Sequence, residues 1–384
     1  MRTKKIVLLQ RVITNYRLPT FTRISQIEGY DLTVFHGPNF HGTKIENTKN
    51  MSNLKTRKLW SVPIRFNTKN GLVAMPFSPL LFYYLIRHNP DILICEGASN
   101  LVNTSIAFTY KVLFKKKLLW WSLGQVPNRT KSLVRKIVDK WVFTMERKAD
   151  AIIAYNTHAK EYFISEARVD PNKIYIALNV IDTDKRLLEA SQFDKIKVYQ
   201  QAHKDKDFII LYVGAIIKGK NLDVLLEAFS YLEKSVEGKY NVALTIVGKG
   251  DEKTEIEQLS QKLGIKNIVF VGEVNEGVSR YFLESDIFVL PGLGGLAIPD
   301  AMLHGLPVIA SSADGSESDF IDGQNGMIIP KIDSENLYTT LKDLCENGDR
   351  LKDMKQHAFD TIKNRHNIHS FIHQIEKALY SVSE

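Results

Sequence analysis

Two stretches of the chain combine glycine with lysine or aspartate in a pattern that could bind an anion. In residues 291–307, PGLGGLAIPDAMLHGLP, three glycines follow an apolar run and precede a helical segment that carries Asp300. In the other stretch Gly214 follows the apolar run FIILYV, and Lys220 precedes the helical segment LDVLLEAFSYL. A glycine-rich turn before a helix can bind phosphate, because N–H groups are free and no side chain blocks its approach. Such turns also occur in α/β domains without a ligand, so both interpretations stay open.

The order of the surrounding elements predicts a parallel α/β fold. Strand-like runs at residues 5–10, 91–95 and 151–155 alternate with helical segments, and the same alternation resumes at residue 208. In an open parallel sheet, ligands bind at the carboxyl ends of the strands, where both glycine stretches would lie. Residues 77–88, FSPLLFYYLIRH, are predicted to form one helix in the first half.

A break in this alternation predicts two domains. The segment between residues 185 and 206 is charged and rich in Gln and Lys, which is typical of a connection. We therefore predict an N-terminal domain over residues 1–185, a linker over 186–206, a C-terminal domain over 207–365 and a last helix within 366–384. The length of 384 residues suits two domains of ordinary size.

The composition is that of a globular cytoplasmic protein. It is 44% hydrophobic and 24% charged, and no apolar run is long enough for a membrane-spanning helix. The two cysteines, Cys95 and Cys345, predict neither a disulfide framework nor a zinc site. The start of the chain, MRTKKIVLLQRV, has only a short apolar run, so we expect a first strand there and no signal peptide.

The charge is unevenly distributed between the two halves. Residues 1–190 carry 30 Lys and Arg against 14 Asp and Glu, a net charge of +16, whereas residues 191–384 carry 21 against 29, a net charge of −8. A basic half suggests an anionic partner, such as a membrane surface at the inner face of the cell membrane, a lipid-phosphate acceptor or an acidic glycan. The basic clusters at residues 115–117 and at Arg135, Lys136 and Lys140 could contact anionic lipid or could simply face solvent. No recognised nucleic-acid-binding motif is present, which argues against a nucleic-acid partner.

A set of motifs in the second half resembles the family 4 glycosyltransferases of GT-B fold. The resemblance covers about 150 residues and is carried by Gly214, residues 220–221 (KN), 227–229 (EAF), 246–250 (IVGKG), 270–272 (FVG), Asp286, 290–291 (LP), 301–302 (AM), 305–309 (GLPVI) and 322–326 (DGQNG). Residues 179–183 (NVIDT) and the pair Tyr16-Arg17 with Pro19 resemble the first half of the same superfamily more loosely.

This resemblance implies two Rossmann-like domains that face each other across a cleft. The C-terminal domain would bind a nucleotide-sugar, the N-terminal domain would bind the acceptor, and the last helix would cross back to the N-terminal domain. Such enzymes typically retain the anomeric configuration and need neither a metal nor another cofactor.

The same resemblance, together with the anion-binding chemistry, assigns candidate residues. We expect Lys220 and Asp300 to act on the donor and Glu96 to face the acceptor as catalytic groups. The donor-binding set is Gly214, Lys220, Gly248, Gly272, Gly292, Leu293, Gly294, Gly295, Leu296 and Asp300. The acceptor-side set is Tyr16, Arg17, Glu96 and His158, although Glu96 could equally be a loop residue and His158 a surface residue.

The chain departs from the family pattern at three positions. Ala215 replaces an arginine beside the phosphate-binding lysine, and Arg280 or Lys249 are the candidates to compensate. The family's paired glutamates become Gly292 and Asp300, so one carboxylate contact to the donor sugar is lost. Leu123 stands where many relatives have a histidine near the cleft.

The leading hypothesis is a hexosyltransferase of bacterial surface glycan biosynthesis. It would move a sugar from a UDP- or GDP-sugar to a lipid-linked or polysaccharide acceptor, with retention and without metal, because a lysine and backbone N–H groups can stabilise the departing diphosphate. The alternatives are a nucleotide-sugar epimerase of the same fold and a non-catalytic nucleotide-sugar-binding protein. A nicotinamide-dependent dehydrogenase is disfavoured, because no G-x-G-x-x-G motif follows the first strand.

Overall fold

The chain folds into two compact α/β units. The computed structural model describes residues 2–40, 46–68, 71–124, 133–274 and 276–383, and the side chains of 66–68, 71–73 and 133–135 lie outside this description. Unit 1 comprises Met1–Asn179 and His369–Glu384, and unit 2 comprises Val180–Ile368. The units therefore divide near residue 179, whereas the sequence predicts the first boundary at residue 185.

Among its described residues, unit 1 contains the first nine strands, the first five α-helices and most of the last helix. The strands are β1 (Lys4–Gln10), β2 (Tyr30–His36), β3 (Thr56–Lys58), β4 (Val62–Thr68), β5 (Gly71–Phe77), β6 (Ile92–Cys95), β7 (Lys117–Ser122), β8 (Ala151–Ala154) and β9 (Ile174–Ile176). The helices are α1 (Leu18–Ile24), α2 (Leu81–His88), α3 (Leu101–Phe114), α4 (Leu133–Lys148) and α5 (Thr157–Ser165). Residues 77–88 are thus not one helix, because Phe77 ends strand β5 and the helix begins at Leu81.

A parallel sheet of seven described strands forms the centre of unit 1. The strand order is β3-β2-β1-β6-β7-β8-β9, and β4 and β5 form a separate antiparallel pair. The interior strands β6 (ILIC) and β8 (AIIA), each with a neighbour on both sides, are buried along their whole length. Continuous burial is expected for parallel strands whose two faces are both covered, so these strands carry apolar residues at every position.

Unit 2 repeats this architecture with a parallel sheet of six described strands. The strands are β10 (Phe208–Val213), β11 (Val242–Val247), β12 (Ile268–Gly272), β13 (Ile287–Leu290), β14 (Val308–Ser311) and β15 (Gly326–Ile329), in the order β12-β11-β10-β13-β14-β15. The helices are α6 (Thr183–Ser191), α7 (Lys195–Ala202), α8 (Leu222–Ser235), α9 (Lys253–Lys262), α10 (Ser279–Leu283), α11 (Ala297–Leu303), α12 (Glu317–Phe320), α13 (Ser334–Glu346) and α14 (Gly348–Asn364). The α/β class with two parallel sheets agrees with the prediction from the sequence.

Most of helices α6 and α7 of unit 2 falls within residues 186–206, the segment predicted to connect the two domains. Aspartates cap both helices: Asp182 accepts a hydrogen bond from the Lys185 N–H at 3.2 Å, and Asp194 accepts one from the Lys197 N–H at 3.1 Å. The polar composition that indicated a linker reflects two capped helices with little buried surface.

Helix α7 is fastened to the sheet by a buried carboxylate. Asp286, immediately before β13, accepts hydrogen bonds from Tyr199 Oη at 2.7 Å and Lys355 Nζ at 2.7 Å, and His203 Nε2 lies 2.8 Å from it. Burial alone would raise the pKa of Asp286, but the hydrogen bond from His203 and the charge of Lys355 outweigh it and lower the pKa to about 2. The carboxylate therefore stays ionised and joins α7 and α14 to the amino end of β13.

The last helix, α15 (Ile368–Ser381), packs mainly within unit 1. The Ser383 and Tyr30 hydroxyls lie 2.9 Å apart, and the ring of Phe371 lies 6.0 Å from the ring of Trp121. Among the described residues, no helix combines the length and the apolar character that crossing a bilayer would require.

Candidate functional site

The glycines predicted to bind the donor lie along one edge of the unit 2 sheet. Because all six strands are parallel, Gly214 after β10, Gly248 after β11 and Gly272 at the end of β12 share the carboxyl edge. The backbones there are in close contact: Gly248 N–H donates to the Gly272 carbonyl at 2.8 Å, and a Cβ on Gly248 would lie 1.8 Å from the Gly214 carbonyl oxygen. No other residue fits at position 248 without moving the backbone.

Lys220 follows β10, and the glycine loop (residues 291–295) follows β13. The order of the sheet reverses between these two strands. The chain leaves β10 for β11 on one side and reaches β13 on the other, so the loops after β10 and β13 flank the switch point where α/β sheets bind ligands. Leu293 N–H donates to the Gly219 carbonyl at 2.9 Å, and Asn221 Nδ2 donates to the Pro291 carbonyl at 3.0 Å. These two bonds hold the loops against each other.

The Lys220 ammonium lies directly on the glycine loop. Lys220 is the last residue of a 3-10 turn (Lys218–Lys220), and its Nζ donates to the carbonyl of Leu293 and, at 3.2 Å, to that of Gly294. Burial lowers the pKa of Lys220, and the negative charge of Asp314 opposes this shift only in part. A partly desolvated ammonium among backbone carbonyls can exchange these weak acceptors for an anion.

Asp300 occupies a buried network rather than an open surface. Its Oδ2 accepts a hydrogen bond from Arg186 Nη2 at 2.9 Å, and its Oδ1 lies 3.6 Å from His304 Nδ1. Burial raises the pKa of the Asp300 carboxyl, with the charge of Arg186 opposing the shift. Among the described residues, Asp300 Oδ1 has no hydrogen-bond donor within reach, although the atom is buried.

Arg186 is the partner of Asp300 that sequence reasoning missed. It lies on α6, inside the segment predicted as a linker, and its Nη1 donates to Glu189 Oε2 at 2.6 Å. Glu189 in turn accepts from the Ser279 N–H at 3.2 Å, and His304 Nε2 lies 3.0 Å from the Ser279 hydroxyl. The capping signal at Asp182, three residues before Lys185, could have revealed the helix that carries Arg186.

Neither candidate for the missing arginine is a free cation beside Lys220. Lys249 forms an ion pair with Glu273, and Arg280 forms one with Glu284 at 2.6 Å. Ala215, at the position of the family's arginine, is exposed. Of the cations weighed from the sequence, Lys220 is the one that touches the glycine loop.

A cavity of unit 2 lies at the amino ends of the strands, opposite the glycine loops. It measures about 600 Å³ and is lined by surface residues that include Asp207, Glu233, Val242 and Asn267. Val242 begins β11, and Asp207 and Asn267 immediately precede β10 and β12. It therefore faces the amino ends of the strands, away from the glycine loops.

Three of the four residues predicted for the acceptor side, Tyr16, Arg17 and Glu96, meet in a cavity of unit 1. This cavity, of about 330 Å³, is lined by Arg11, Tyr16, Arg17, Glu96, Trp121 and Tyr155, among others, and Leu123 also lines it. Its residues lie at or just after the carboxyl ends of β1, β6, β7 and β8. The sheet reverses its order between β1 and β6, so this is the switch point of unit 1.

Arg17 is held in this cavity by neutral and aromatic partners. Its Nη2 donates to the Tyr155 hydroxyl at 2.6 Å and its Nη1 donates to Asn179 Oδ1 at 3.3 Å. The guanidinium carbon lies 5.1 Å from the ring centre of Tyr155 and 5.3 Å from that of Trp121. These distances are those of cation–π contacts, which fix the plane of the guanidinium.

Glu96 is paired with Arg11, and His158 lies elsewhere. Glu96 Oε1 accepts from Arg11 Nε at 3.0 Å and from Nη2 at 2.9 Å, while Oε2 accepts the Arg11 backbone N–H at 2.9 Å. His158 is exposed in the first turn of α5 and is not among the residues that line the cavity. Arg11, Trp121 and Tyr155 complete the site.

Comparisons with known proteins agree with this architecture. Residues 194–361 match the family model described as Glycosyl transferases group 1. An uncharacterized glycosyltransferase of Methanocaldococcus jannaschii is 26% identical over 381 residues, which cover 93% of this chain and 92% of the relative. The capsular polysaccharide biosynthesis glycosyltransferase CapM of Staphylococcus aureus is 27% identical over 54% of this chain and 55% of its own length.

Solved structures show the same fold. The crystal structure of Anabaena HepE in complex with UDP superimposes with a TM-score of 0.76 at 16% sequence identity, over 98% of this chain and 100% of HepE. The family match covers most of unit 2, and both the M. jannaschii relative and HepE extend the likeness through unit 1. Residues 194–361 thus carry the domain described as group 1 glycosyltransferases, and the comparisons support a glycosyltransferase of GT-B fold and family 4 type.

Proposed function

We propose that this glycosyltransferase takes its sugar from a UDP- or GDP-sugar, retains the anomeric configuration and needs no metal ion. The observation that carries the proposal is the Lys220 ammonium, which lies on the carbonyls of Leu293 and Gly294 at the switch point of the unit 2 sheet. A diphosphate in this position would give the ammonium a strong anionic partner in place of two carbonyls.

Asp300 supports a place for the donor beside this loop. Its Oδ1 is buried without a hydrogen-bond donor among the described residues, which is costly unless a ligand supplies one. A hydroxyl group of the bound nucleotide-sugar would satisfy this oxygen, while Arg186 holds Oδ2 and fixes the carboxylate. Asp300 is thus proposed to orient the donor, and Lys220 to stabilise the leaving group.

The proposed chemistry needs little from the protein beyond charge and position. The bond between the anomeric carbon and the diphosphate oxygen breaks, and the acceptor oxygen bonds to the same face of that carbon. The acceptor's proton passes to the departing diphosphate, so a protein base is not required. Negative charge grows on the diphosphate during this step, and Lys220 and the loop N–H groups stabilise it more in the transition state than in the bound donor. The role of Glu96 as an acceptor-facing catalytic carboxylate stays a prediction.

The relatives support a nucleotide-sugar donor and a glycan acceptor. HepE was crystallised with UDP, and CapM is named for capsular polysaccharide biosynthesis. We extend this chemistry to the present chain and propose a lipid-linked or polysaccharide acceptor in surface glycan synthesis. Membership of a transferase family favours this function over an epimerase or a non-catalytic binding protein.

A thermal-shift panel with UDP, GDP, CMP, ADP and dTDP tests the donor site directly. We expect UDP or GDP to raise the melting temperature, and the shift to persist in EDTA. A ligand at about 100 times its Kd stabilises the folded state by about 2.7 kcal/mol, which corresponds to several degrees for a domain of this size. Loss of the shift in EDTA would contradict metal independence, and equal shifts with all five nucleotides would contradict a specific donor site.

We further propose that unit 1 rests on an anionic membrane surface. At the end of α3, Leu113 is 64% exposed and is followed by the lysines at 115–117, while on α4 Ile137 is 74% exposed between Lys136 and Lys140. The two helices are in contact, since Trp141 Nε1 donates to the Ser105 hydroxyl at 2.9 Å. Exposed apolar groups beside lysines are typical of surfaces that insert shallowly among anionic lipids. The Arg135 side chain, which the sequence places in the same cluster, lies outside the described residues.

Co-sedimentation with lipid vesicles checks this surface. We expect the protein to bind phosphatidylglycerol vesicles and not phosphatidylcholine vesicles. The double variant Lys115→Gln/Lys136→Gln should bind about tenfold more weakly or worse, because each lysine near the surface contributes about 1 kcal/mol. The matched control is Lys262→Gln/Lys352→Gln, which removes two exposed lysines from unit 2. Equal loss in both double variants would point to net charge alone and would contradict the proposed surface.

A further inference from the structure

Arg17 carries a charge that no carboxylate in its cavity neutralises. Three charged side chains line this cavity within the described parts of the chain: Arg11, Arg17 and Glu96. Both oxygens of Glu96 accept hydrogen bonds from Arg11, so these two residues form a neutral pair. The cavity therefore keeps one positive charge, and that charge belongs to Arg17.

The hydrogen bonds of Arg17 also leave it available to a ligand. A guanidinium has five N–H groups, and the two bonds found for Arg17 go to a phenol and an amide, which are both neutral. The other three N–H groups have no acceptor among the described residues. Burial opposes the charge, but nearby Tyr155, Tyr16 and Glu96 outweigh it, and the pKa of Arg17 lies above its usual value. A guanidinium keeps its proton in folded proteins, so Arg17 is a cation here.

A half-buried cation of this kind gains from a counter-ion. Taking a guanidinium out of water costs several kcal/mol unless an anion or a full set of hydrogen bonds compensates it. The aromatic rings of Tyr155 and Trp121 recover part of this cost and fix the orientation of the group. What remains is a pre-oriented fork of N–H groups, whose geometry matches a carboxylate or a phosphate.

We propose that the unit 1 cavity recognises the acceptor through an oxyanion on its sugar, a carboxylate or a phosphate, which pairs with Arg17. This rests on the proposed function in so far as it takes the cavity to be the acceptor site. The volume of about 330 Å³ is enough for one sugar residue. Tyr16, which is 51% exposed, offers an aromatic surface beside the guanidinium, 5.8 Å from it. Acceptors with a neutral sugar would leave the Arg17 charge unpaired and would bind more weakly.

Ligand-observed NMR titrations with three small probes test this proposal. The probes are glucuronate, glucose 1-phosphate and glucose, which carry a carboxylate, a phosphate and no charge. All titrations are made with the Lys220→Ala variant, so that a phosphate cannot be bound by the glycine loop of unit 2. We expect at least one anionic probe to bind about tenfold or more tightly than glucose, since hydrogen bonds to charged groups contribute about that much. The anion that binds more tightly identifies the acceptor oxyanion as a carboxylate or a phosphate.

Two arginine variants separate recognition from a structural role. Adding Arg17→Gln should abolish the preference for the anion, whereas Arg17→Lys should retain it in weakened form. The matched control is Arg57→Gln: Arg57 also stacks on an aromatic ring, 4.9 Å from Tyr84, but does not line the cavity. Circular dichroism confirms folding, and the lysine variant preserves the test if the glutamine variant unfolds.

The results have distinct meanings. Equal binding of glucose and both anions in the parent, or an anion preference that survives Arg17→Gln, would overturn the proposal. Nucleotide binding in unit 2 is measured separately, so its failure would overturn the proposed donor site and leave the anion preference of unit 1 standing. A nucleotide-dependent thermal shift without any anion preference would support the donor site in unit 2 and overturn the role proposed for Arg17.

Discussion

Replacing Lys220 by alanine is expected to lower the rate of sugar transfer by about 10²–10³-fold without unfolding the protein. In the structure its Nζ donates to the carbonyls of Leu293 and Gly294, at the point where the departing diphosphate would gain charge. With Ala215 at the arginine position and both Lys249 and Arg280 paired elsewhere, no second cation among these candidates can replace it. The loss should appear in kcat and also in the affinity for the nucleotide.

Lys218→Ala is the matched control for this variant. Lys218 lies on the same 3-10 turn, two residues away, but its side chain is exposed. The two variants remove the same charge from the same turn, so a difference between them measures the position of the ammonium. Similar losses in both variants would mean that the turn supplies only a general positive potential.

The pH dependence of donor binding gives a second measurement on Lys220. Burial lowers its pKa in the free protein, so its charge is lost at a lower pH than that of an ordinary lysine. The contribution to binding is fully present below this lowered pKa and falls as the pH rises through it. Nucleotide affinity should therefore decline on the alkaline side in the parent protein, and this decline should be absent in Lys220→Ala.

The fold was predictable because its signals are local. Buried parallel strands such as IVLL in β1 and FIILYV in β10 are continuous apolar runs, and glycines mark the carboxyl ends where ligands bind. The order of the motifs in unit 2 then identified the family, which the family match over residues 194–361 confirms. Strand order and contacts between distant loops depend on residues far apart in the chain, so local sequence patterns did not predict them.

The helices in the predicted linker show why polar segments mislead. Helix α7 has no buried residue, so it lacks the apolar periodicity by which amphipathic helices are recognised. It is held instead by Tyr199 and His203, which bind the Asp286 carboxylate. Helix α6 carries Arg186 to Asp300 in the same way, through a polar contact between residues 114 positions apart. Such contacts depend on tertiary structure and leave little trace in a local pattern.

The unit 1 cavity illustrates the same limit. Tyr16, Arg17 and Glu96 were predicted on the acceptor side, and the structure brings them together. Arg11 and Tyr155 complete the cavity. Arg11 pairs with Glu96 and Tyr155 accepts a hydrogen bond from Arg17, so the charge of Arg17 is the one that no carboxylate of the cavity neutralises. From the sequence, Glu96 is an acceptor-facing carboxylate; in the structure it neutralises Arg11, and Arg17 becomes the charged group of the cavity.

Gly292→Ala is expected to abolish donor binding and to destabilise unit 2. A Cβ at position 292 would lie 2.3 Å from the Gly219 carbonyl oxygen and 2.5 Å from Lys220 Cα. Both are backbone atoms, so no side-chain rotation can relieve the contact, and the turn that carries Lys220 must move. Overpacking of this kind costs about 1–3 kcal/mol, and the displaced ammonium would no longer meet the diphosphate. Nucleotide-dependent thermal shifts and the melting temperature without ligand measure the two effects.

Gly294→Ala is the control, because the nearest atom to a Cβ at position 294 is Asp314 Oδ1 at 3.8 Å. This variant should keep the melting temperature of the parent without ligand, although it lies in the same loop, so it controls for the packing effect of the added Cβ. Normal nucleotide binding by Gly292→Ala would show that the turn yields easily and that its contact with the loop does not position Lys220. The same contact means that any side chain at position 292 would meet the backbone of the 218–220 turn, so the glycine at 292 and the placement of Lys220 depend on one backbone arrangement. Ala215 is different, because it is exposed and its small side chain is not imposed by packing.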